Sequence, residues 1–588
     1  MLASTLAACK EPTPPATGAG ERPAVRGEAG ASADPVIEAA DAGPREAAPP
    51  AVLAQLPRLE ASEAERQSLQ ALYQPEGGRA WWIDTRGRPN ERADEALAVL
   101  QTADREGLVP EDYAAGELRR LAQSLREGQA SGDAAHLFEL RLSQMMMRYL
   151  KHVQMGRVDP RSLGFKLHAG SPGMDHAAQL RNLLSGASGR SWQASLEGLR
   201  PTLPQYEALR EALAHYRELA GREHEAPPVP AQPRVRPGEP YAGVEALGRR
   251  LALLGDLDPS ATPAAASTTS AVSASVPAGS GPAPVLRYEG ALVDAVRRFQ
   301  SRHGLEPDGV LGKGTFAALN VPLAERVRQI ELAMERLRWV PRLADQPFVA
   351  VNIPMFRLWA AQPDQGDTPP LGMRVIVGRA LDTETPVMFD QMRYLVFSPY
   401  WNVPRSIVRD EILPALQREP GYLDRQQMEL VRGERDDSPV VAATPEHIEA
   451  LRRGQLRVRQ RPGPHNSLGL VKFIFPNDAS VYLHGTPAQS LFGRDRRDMS
   501  HGCVRVEDPV ALAQWLLRDR PEWTRERIVE AMNAGRPTQV DLTRPVPVLL
   551  FYVTAMVLPD GQGVHFASDI YGHDAKLAQA LARRRGTS

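Results

Sequence analysis

Two short stretches in the last fifth of the chain carry the residue types that nucleophilic catalysis needs. The first runs from Tyr482 to Pro487 and reads Tyr-Leu-His-Gly-Thr-Pro, and the second runs from Ser500 to Val506 and reads Ser-His-Gly-Cys-Val-Arg-Val. Cys503 is one of only two cysteines, and its segment is rich in Arg and Asp. Such surroundings favour the thiolate, which is the nucleophilic form of the side chain. We expect His484 to be the base that activates this thiol, once the connecting loop folds back.

The glycines and the second histidine of these stretches suggest how a reacting carbonyl is held. Gly485 and Gly502 let backbone N–H groups approach a carbonyl closely, as an oxyanion hole requires. A zinc site made of His484, His501 and Cys503 is the alternative. These residues lack a regular ligand spacing, and two of them are only two positions apart, so we favour acyl transfer by the cysteine.

Composition limits the class of protein. The chain has 588 residues, which is enough for about four domains. Lys and Arg number 70 against 71 Asp and Glu, for a net charge of −1, which argues against a nucleic-acid partner. No apolar run approaches the ~18 residues of a membrane-spanning helix. The 52 prolines and 47 glycines predict substantial linker sequence.

The start of the chain is predicted to be a leader and a tether. The run from Leu6 to Cys9 reads Leu-Ala-Ala-Cys and resembles a bacterial lipobox, in which the cysteine is lipidated. Only eight residues precede Cys9 and none is basic, so a chance Leu-x-x-Cys is the alternative. We expect residues 1–9 to be a lipoprotein signal remnant with Cys9 as the lipidation site. Residues 10–51 are rich in Pro and Ala and are predicted to be a disordered tether.

Helical periodicity dominates the next part of the chain. Apolar residues at spacings of three and four predict a helical scaffold domain over residues 56–222, with Met145 to Met147 as core filler. After a Pro-rich linker, residues 241–322 are predicted to be a small helical bundle, interrupted at 258–284 by a low-complexity Ala/Ser/Thr/Pro insert.

Short β-branched and aromatic runs predict strands from residue 347 onward. They indicate a catalytic domain over 347–541 with a mainly antiparallel sheet, followed by a C-terminal strand pair and helix over 542–588. Residues 405–464 are charged and read as helical, which suggests an inserted cap over the site. The fold class is therefore expected to be multidomain α+β.

Two segments resemble known families. The stretch from Arg298 to Asn320, with its Phe-Gln pair, Asp-Gly turn and a Thr predicted to cap the last helix, resembles the peptidoglycan-binding type 1 module, a three-helix bundle. The His484 segment, followed by Ser-His-Gly-Cys-Val-Arg, resembles the L,D-transpeptidases of the YkuD type. The order of domains looks like the long, multidomain branch of that family. The resemblance implies a β-sandwich-like catalytic domain.

The family resemblance also implies roles for individual residues. Cys503 matches the nucleophile and His484 the general acid/base. The other implied roles are orientation of the histidine by the Gly485 carbonyl, an oxyanion hole at Gly502 and Cys503, loop orientation by Ser500 or His501, and substrate binding by Arg505, Tyr482, Trp401, Asn466 and Lys472. For Trp401, a core aromatic is the equal alternative.

The resemblance finally implies a function and a place in the cell. The chain is expected to form 3→3 cross-links in peptidoglycan through a cysteine thioester, releasing D-Ala from a tetrapeptide stem, with no metal or organic cofactor. An L,D-carboxypeptidase and a non-catalytic envelope anchor are the alternatives. The expected location is the periplasm or cell envelope of a Gram-negative bacterium, with a role in cell-wall organisation and cell shape. The expected partners are peptidoglycan stems, with membrane contact only through a lipid on Cys9, and the expected state is a monomer.

Overall fold

The computed structural model describes residues 51–167, 174–186, 189–262, 286–341, 343, 346–362, 369–380, 383–433, 435–558 and 561–585. Cys9, nearly all of the expected tether and most of the 258–284 insert lie outside these ranges. Within them, no helix combines the length and the apolar character needed to cross a membrane.

The first unit is helical, and its first helix begins at a reciprocal cap. The Ser62 hydroxyl accepts the Glu65 N–H at 3.3 Å, and the Glu65 carboxylate accepts the Ser62 N–H at 2.9 Å, which satisfies backbone donors at the helix start. Met145 and Met146 are fully buried, so the methionines are core filler as predicted. The helices of this part of the chain are α1 (Glu63–Tyr73), α2 (Glu91–Gln101), α3 (Ala115–Arg126), α4 (Asp133–Met155), α5 (His176–Ser185), α6 (Trp192–Glu197) and α7 (Pro204–Gly221).

The second unit is a small helical one with a core of its own. It comprises β1 (Arg234–Val235), α8 (Val244–Leu253), α9 (Ala291–Arg302), β2 (Leu311–Gly312) and α10 (Lys313–Leu319). Gln300 joins its parts, because its side chain accepts the Gly309 N–H at 2.8 Å and donates to the Val310 carbonyl at 3.0 Å. Thr315 is not the helix cap that the sequence predicts, because it lies inside α10 and its hydroxyl donates to the Val310 carbonyl.

The strands after α11 (Leu323–Leu337) build the part of the fold that holds the predicted site. They are β3 (Phe348–Asn352), β4 (Arg357–Ala361), β5 (Leu371–Gly378), β6 (Met388–Phe397), β7 (Trp401–Asn402), β8 (Met428–Val431), β9 (Val440–Val441), β10 (Arg457–Gln460), β11 (Val471–Ile474), β12 (Leu483–His484), β13 (Asp498–Ser500), β14 (Val504–Val506), β15 (Thr538–Phe551), β16 (Ala555–Val557) and β17 (Val564–Phe566).

The main sheet closes on itself. Over the described residues, its strands pair in the order β13-β5-β14-β12-β11-β6-β15-β3-β4, and β4 also pairs with β5. Most pairs are antiparallel, but β12 with β14, β5 with β13, and β3 with β15 are parallel. The apolar core of this sheet is continuous with the buried faces of α7 and α11, which pack on each other and on β16.

The cap is a mixed α/β subdomain, so the helical cap that the sequence predicts is only partly right. Its helices are α12 (Arg405–Ile407), which continues as a π-helical turn over Val408–Ile412, α13 (Leu413–Arg418), α14 (Tyr422–Arg425) and α15 (Pro445–Arg452). They pack on a sheet ordered β7-β10-β8-β9, around a separate apolar core. These strands are only two to four residues long, which is too short for the period-two pattern of a strand to be recognised within a charged segment.

At the end of the chain, one predicted boundary falls inside a strand. Strand β15 runs from Thr538 to Phe551 and pairs with both β6 and β3, and its register with β6 shifts between Asp541 and Val546, at the predicted division at residue 541. The terminal strand pair is β16 with β17. The remaining helices are α16 (Pro509–Leu516), α17 (Arg525–Met532) and α18 (His573–Arg585).

Candidate active site

Strands β12 and β14 place the predicted nucleophile and base on one face of the sheet. They run parallel, with Leu483 beside Val504 and His484 beside Arg505, and the Val504 N–H donates to the Tyr482 carbonyl at 3.1 Å. Leu483 and Val504 are fully buried in the core. Because side chains alternate along a strand, the residues on either side of them share the opposite face. Cys503 therefore lies diagonally across from His484, one strand away.

The same face carries the other polar residues of the two motifs. Lys472 on β11 is the register partner of His484 on the side away from β14. The Tyr482 ring lies 5.7 Å from the His484 imidazole, centroid to centroid, at an angle of 57°. Arg505, Tyr482 and Lys472 therefore surround the imidazole, while Cys503 lies at the end of the face where β14 begins.

The His484 imidazole is oriented and neutral. Its Nδ1–H donates to the Gly485 carbonyl at 2.5 Å, as the family resemblance implies, which leaves Nε2 with the lone pair. His484 is only 4% exposed. This burial, and to a smaller degree the nearby Arg505 charge, lowers its pKa to about 3. At neutral pH His484 can therefore accept a proton but holds none on Nε2.

The Cys503 thiol is protonated at rest, which corrects an expectation from sequence. Burial raises its pKa to about 11, although hydrogen bonds with Tyr482 and the charge of Arg505 act in the opposite direction. The prediction that the polar, Arg-rich segment favours the thiolate is therefore wrong, because desolvation outweighs the nearby positive charge. The resting pair is a thiol and a neutral imidazole, and the thiol must lose its proton as it reacts.

Ser500 and Gly502 form a tight turn before the nucleophile. The Gly502 N–H donates to the Ser500 hydroxyl at 3.2 Å, and that hydroxyl donates to the Cys503 carbonyl at 2.6 Å. Gly502 has a φ of +109°, a conformation that side chains other than glycine's rarely adopt. The Gly502 amide, one of the two donors expected for the oxyanion hole, thus hydrogen-bonds to Ser500 in this structure, and its role in that hole stays a prediction. The Cys503 amide remains the candidate donor.

His501 faces the cap. It is exposed, and its Nε2 lies 2.8 Å from the Glu411 carboxylate in the π-helical turn of the cap. This contact links the nucleophile turn to the inserted subdomain, which fits the predicted role of His501 in shaping the loop. Sequence reasoning missed Glu411, because nothing separates it from the other charged residues of the cap.

Arg505 brings an unsatisfied positive charge to the site. Its Nε is buried and has no hydrogen-bond partner among the described residues. Burial lowers its pKa, and no carboxylate of the described chain forms an ion pair with it. A half-buried guanidinium with a free donor is suited to binding an anionic group of a substrate.

Asn466 and Trp401 both contact other parts of the protein. Asn466 is fully buried, and its side chain donates to the Pro399 and Arg461 carbonyls at 3.0 Å and accepts the Leu468 N–H at 2.8 Å. In this structure Asn466 fixes the loop before β11, and its substrate-binding role stays a prediction. Trp401 lies on β7 beside Gln460 and packs against the apolar core of the cap, as in the core-aromatic alternative.

Gly469 shows how closely this loop approaches the base. It has a φ of +65°, and an added Cβ would lie 2.5 Å from the Thr486 nitrogen and 2.7 Å from the Gly485 carbonyl carbon. Only glycine fits at this position, so the loop that Asn466 fixes also supports the His484–Gly485 segment from behind. Sequence reasoning also missed Gly469, one of 47 glycines in the chain.

The described residues contain no group of three or more His, Cys, Asp or Glu side chains placed to hold a metal ion. Their arrangement, with a thiol, a neutral imidazole and a backbone N–H, has the parts of covalent acyl transfer.

Three parts of the chain match models of known protein families. Residues 346–554 match the family model described as "L,D-transpeptidase catalytic domain", residues 67–213 match "Scaffold domain", and residues 279–319 match "Putative peptidoglycan binding domain". A curated protein of Haemophilus influenzae described as "Putative L,D-transpeptidase" is 32% identical over 250 residues, which are 42% of this chain and 49% of that one. The chain thus spans about half the length of the curated relative that it matches.

One solved structure is also similar to the chain. It is the crystal structure of an L,D-transpeptidase from Xylanimonas cellulosilytica, which is 17% identical and covers 55% of this chain and 99% of that one, with a TM-score of 0.15. The family matches confirm the resemblance read from the sequence motifs. Residues 346–554 are therefore similar to the catalytic domain of the L,D-transpeptidase family, and two other parts of the chain are similar to a scaffold domain and a peptidoglycan-binding domain.

Proposed function

We propose that this protein is a cysteine-dependent L,D-transpeptidase that forms 3→3 cross-links in peptidoglycan and releases D-Ala from a tetrapeptide stem. The observation that carries the proposal is the placement of Cys503 and His484 on one face of adjacent strands, with the imidazole oriented by the Gly485 carbonyl. The matches to the transpeptidase and peptidoglycan-binding families support peptidoglycan as the substrate.

The first half-reaction forms a thioester. The Cys503 sulfur attacks the carbonyl between the third stem residue and its terminal D-Ala, and the thiol proton passes to Nε2 of His484. The Cys503 N–H donates a hydrogen bond to the carbonyl oxygen as negative charge develops on it. The C–N bond then breaks, and the imidazolium gives its proton to the leaving D-Ala amine.

The second half-reaction transfers the acyl group to another stem. The side-chain amine of the acceptor attacks the thioester carbonyl, and His484 takes a proton from that amine. The C–S bond then breaks, and the leaving Cys503 thiolate receives this proton from the imidazolium. In this scheme Arg505 binds a stem carboxylate through its free donor. The cap excludes water, which would otherwise hydrolyse the thioester, and the contact between His501 and Glu411 ties it to the nucleophile turn.

The remaining domains would place the active site next to the peptidoglycan of the cell wall. In this proposal, the module over residues 241–322 is a three-helix bundle that holds peptidoglycan, next to a β-sandwich-like catalytic domain. The monomeric protein works in the periplasm of a Gram-negative bacterium, where it shapes the cell wall. Cys9 carries the lipid anchor, and residues 10–51 form the tether.

Incubation with purified tetrapeptide muropeptides, followed by mass spectrometry, tests the proposal. A cross-linked dimer is expected from the wild type and none from Cys503→Ala. A tripeptide monomer without dimer would instead identify an L,D-carboxypeptidase, because water then replaces the acceptor amine. Unchanged muropeptides would indicate a non-catalytic envelope anchor and refute the proposal.

A further inference from the structure

The orientation of the peptide bond between Gly502 and Cys503 determines where the candidate oxyanion donor points. Its N–H belongs to Cys503 and is the candidate oxyanion donor, and its carbonyl belongs to Gly502. A trans peptide is planar, so its N–H and C=O point in opposite directions. Whatever holds the carbonyl oxygen therefore also aims the N–H. Gly502 cannot fix the orientation of this peptide bond by itself, because glycine has few steric limits on its backbone angles.

Thr385 holds that carbonyl. Its hydroxyl donates to the Gly502 oxygen at 2.7 Å and accepts the Gly378 N–H at 2.8 Å. Because the Gly378 N–H supplies a hydrogen to the hydroxyl oxygen, the single hydroxyl hydrogen of Thr385 is directed at Gly502. Thr385 is fully buried, so no solvent competes for this hydrogen bond.

A C-terminal tyrosine holds Thr385 in turn. The Tyr571 hydroxyl accepts the Thr385 N–H at 3.3 Å and donates to the Gly378 carbonyl at 2.5 Å. A Cβ at Gly378 would lie 2.0 Å from the Thr383 carbonyl oxygen, so the loop packs directly against the strand. Tyr571 lies beyond residue 554, where the match to the catalytic-domain family ends.

The same loop binds the turn at a second point. The Ser500 carbonyl accepts the Arg379 N–H at 3.0 Å and the Thr383 hydroxyl at 3.1 Å. Carbonyls on both sides of His501 are therefore held by Arg379, Thr383 and Thr385. Nothing in the sequence marks these residues, since threonines are common in polar loops.

We propose that Thr385 is a positioning residue for acyl transfer: through the Gly502 carbonyl it aims the Cys503 N–H at the oxyanion, and Tyr571 of the C-terminal segment holds it in place. The hydrogen bond to the carbonyl also polarises the amide, which strengthens its N–H as a donor. The inference rests on the proposed function only for the identity of the natural acyl group.

The test compares a reaction that develops an oxyanion with one that does not. p-Nitrophenyl acetate acetylates the Cys503 sulfur through a tetrahedral oxyanion, releasing nitrophenolate, and the thiol proton goes to His484. Iodoacetamide alkylates the same sulfur by direct displacement of iodide, without an oxyanion. Both rates are measured on the full chain carrying Cys9→Ser, with Cys503→Ala as the blank and thermal unfolding as the check on folding.

Thr385→Val keeps the branched shape but removes the hydroxyl, and Thr385→Ser restores it. Loss of an oxyanion donor costs ~10²–10³ in rate, and a donor that is present but no longer aimed is expected to cost at least about 10-fold. We expect Thr385→Val to slow acetylation at least about 10-fold and to leave the alkylation rate unchanged. Thr385→Ser should restore the wild-type acetylation rate. Equal losses in both reactions, an unaffected valine variant or a failed serine rescue would each overturn the proposal.

A second variant keeps the inference testable if Thr385→Val does not fold. Tyr571→Phe removes only the hydroxyl behind Thr385, and a selective loss of acetylation of at least about threefold is expected. An unchanged acetylation rate there would overturn the proposal. A wild type that is acetylated on Cys503 but leaves muropeptides unchanged would refute the proposed function alone.

Discussion

The protonation state of Cys503 predicts how its reactivity depends on pH. The pKa of about 11 lies about two units above the ordinary value of 9.0, which corresponds to about 2.7 kcal/mol against the thiolate at 1.36 kcal/mol per unit. At pH 8 only about one site in 10³ then carries a thiolate, about 100-fold fewer than for an ordinary thiol. His484 is neutral at this pH, so it does not stabilise a thiolate by charge.

The assay is the rate of alkylation by iodoacetamide in a Cys9→Ser background, followed by intact mass. We expect the logarithm of the rate to rise with a slope of about one per pH unit from pH 7 to about 10, without a plateau. His484→Ala should keep this slope, and Cys503→Ala should show no modification. A plateau from pH 5 to pH 9 that disappears in His484→Ala would show a resting thiolate–imidazolium pair and refute the reasoning.

Three further predictions concern the base and its surroundings. Asn466→Ala should destabilise the fold by about 2–3 kcal/mol in urea unfolding, because it leaves buried carbonyls unpaired. A raised KM with unchanged stability would instead support a role of Asn466 in substrate binding. Because the folded pKa of His484 lies below the unfolded value of 6.5, its contribution to stability is complete above pH 6.5 and decreases as pH falls towards 3. Between pH 8 and pH 5 the free energy of unfolding of the wild type should fall by about 2 kcal/mol more than that of His484→Gln. Equal decreases of the two proteins in urea unfolding would contradict the assigned pKa. His484→Ala should lower kcat by ~10²–10⁴ and His501→Ala by less than about 10-fold, and equal losses would mean that the base is misassigned.

The sequence predicts the nucleophile and the base because their local patterns are strong. A polar residue on each side of buried Leu483, and likewise of Val504, places the reactive side chains on one face of each strand. The parallel pairing of β12 with β14 joins segments that a loop separates, and local propensity contains no information about such pairing. The resemblance to a family therefore supplied what the pattern alone could not.

The errors made from sequence share a physical cause. The charge state of Cys503 depends on burial in the folded protein, whereas the sequence shows only the neighbouring Arg and Asp residues. Asn466 is a polar residue of the loop before β11, and the sequence does not show that its side chain is buried and hydrogen-bonded within the protein. Thr385 contacts the nucleophile turn across more than 100 positions of chain, so no local signal identifies it.

The most direct test of the central claim is to isolate the acyl-enzyme. Wild-type protein is mixed with a donor tetrapeptide stem whose acceptor amine is blocked, quenched in acid and mapped by mass spectrometry, while free D-Ala is measured in parallel. The account predicts a tripeptide adduct on Cys503 and one D-Ala released per adduct, with neither in Cys503→Ala. Release of D-Ala by Cys503→Ala, or an adduct on any other residue, would contradict it.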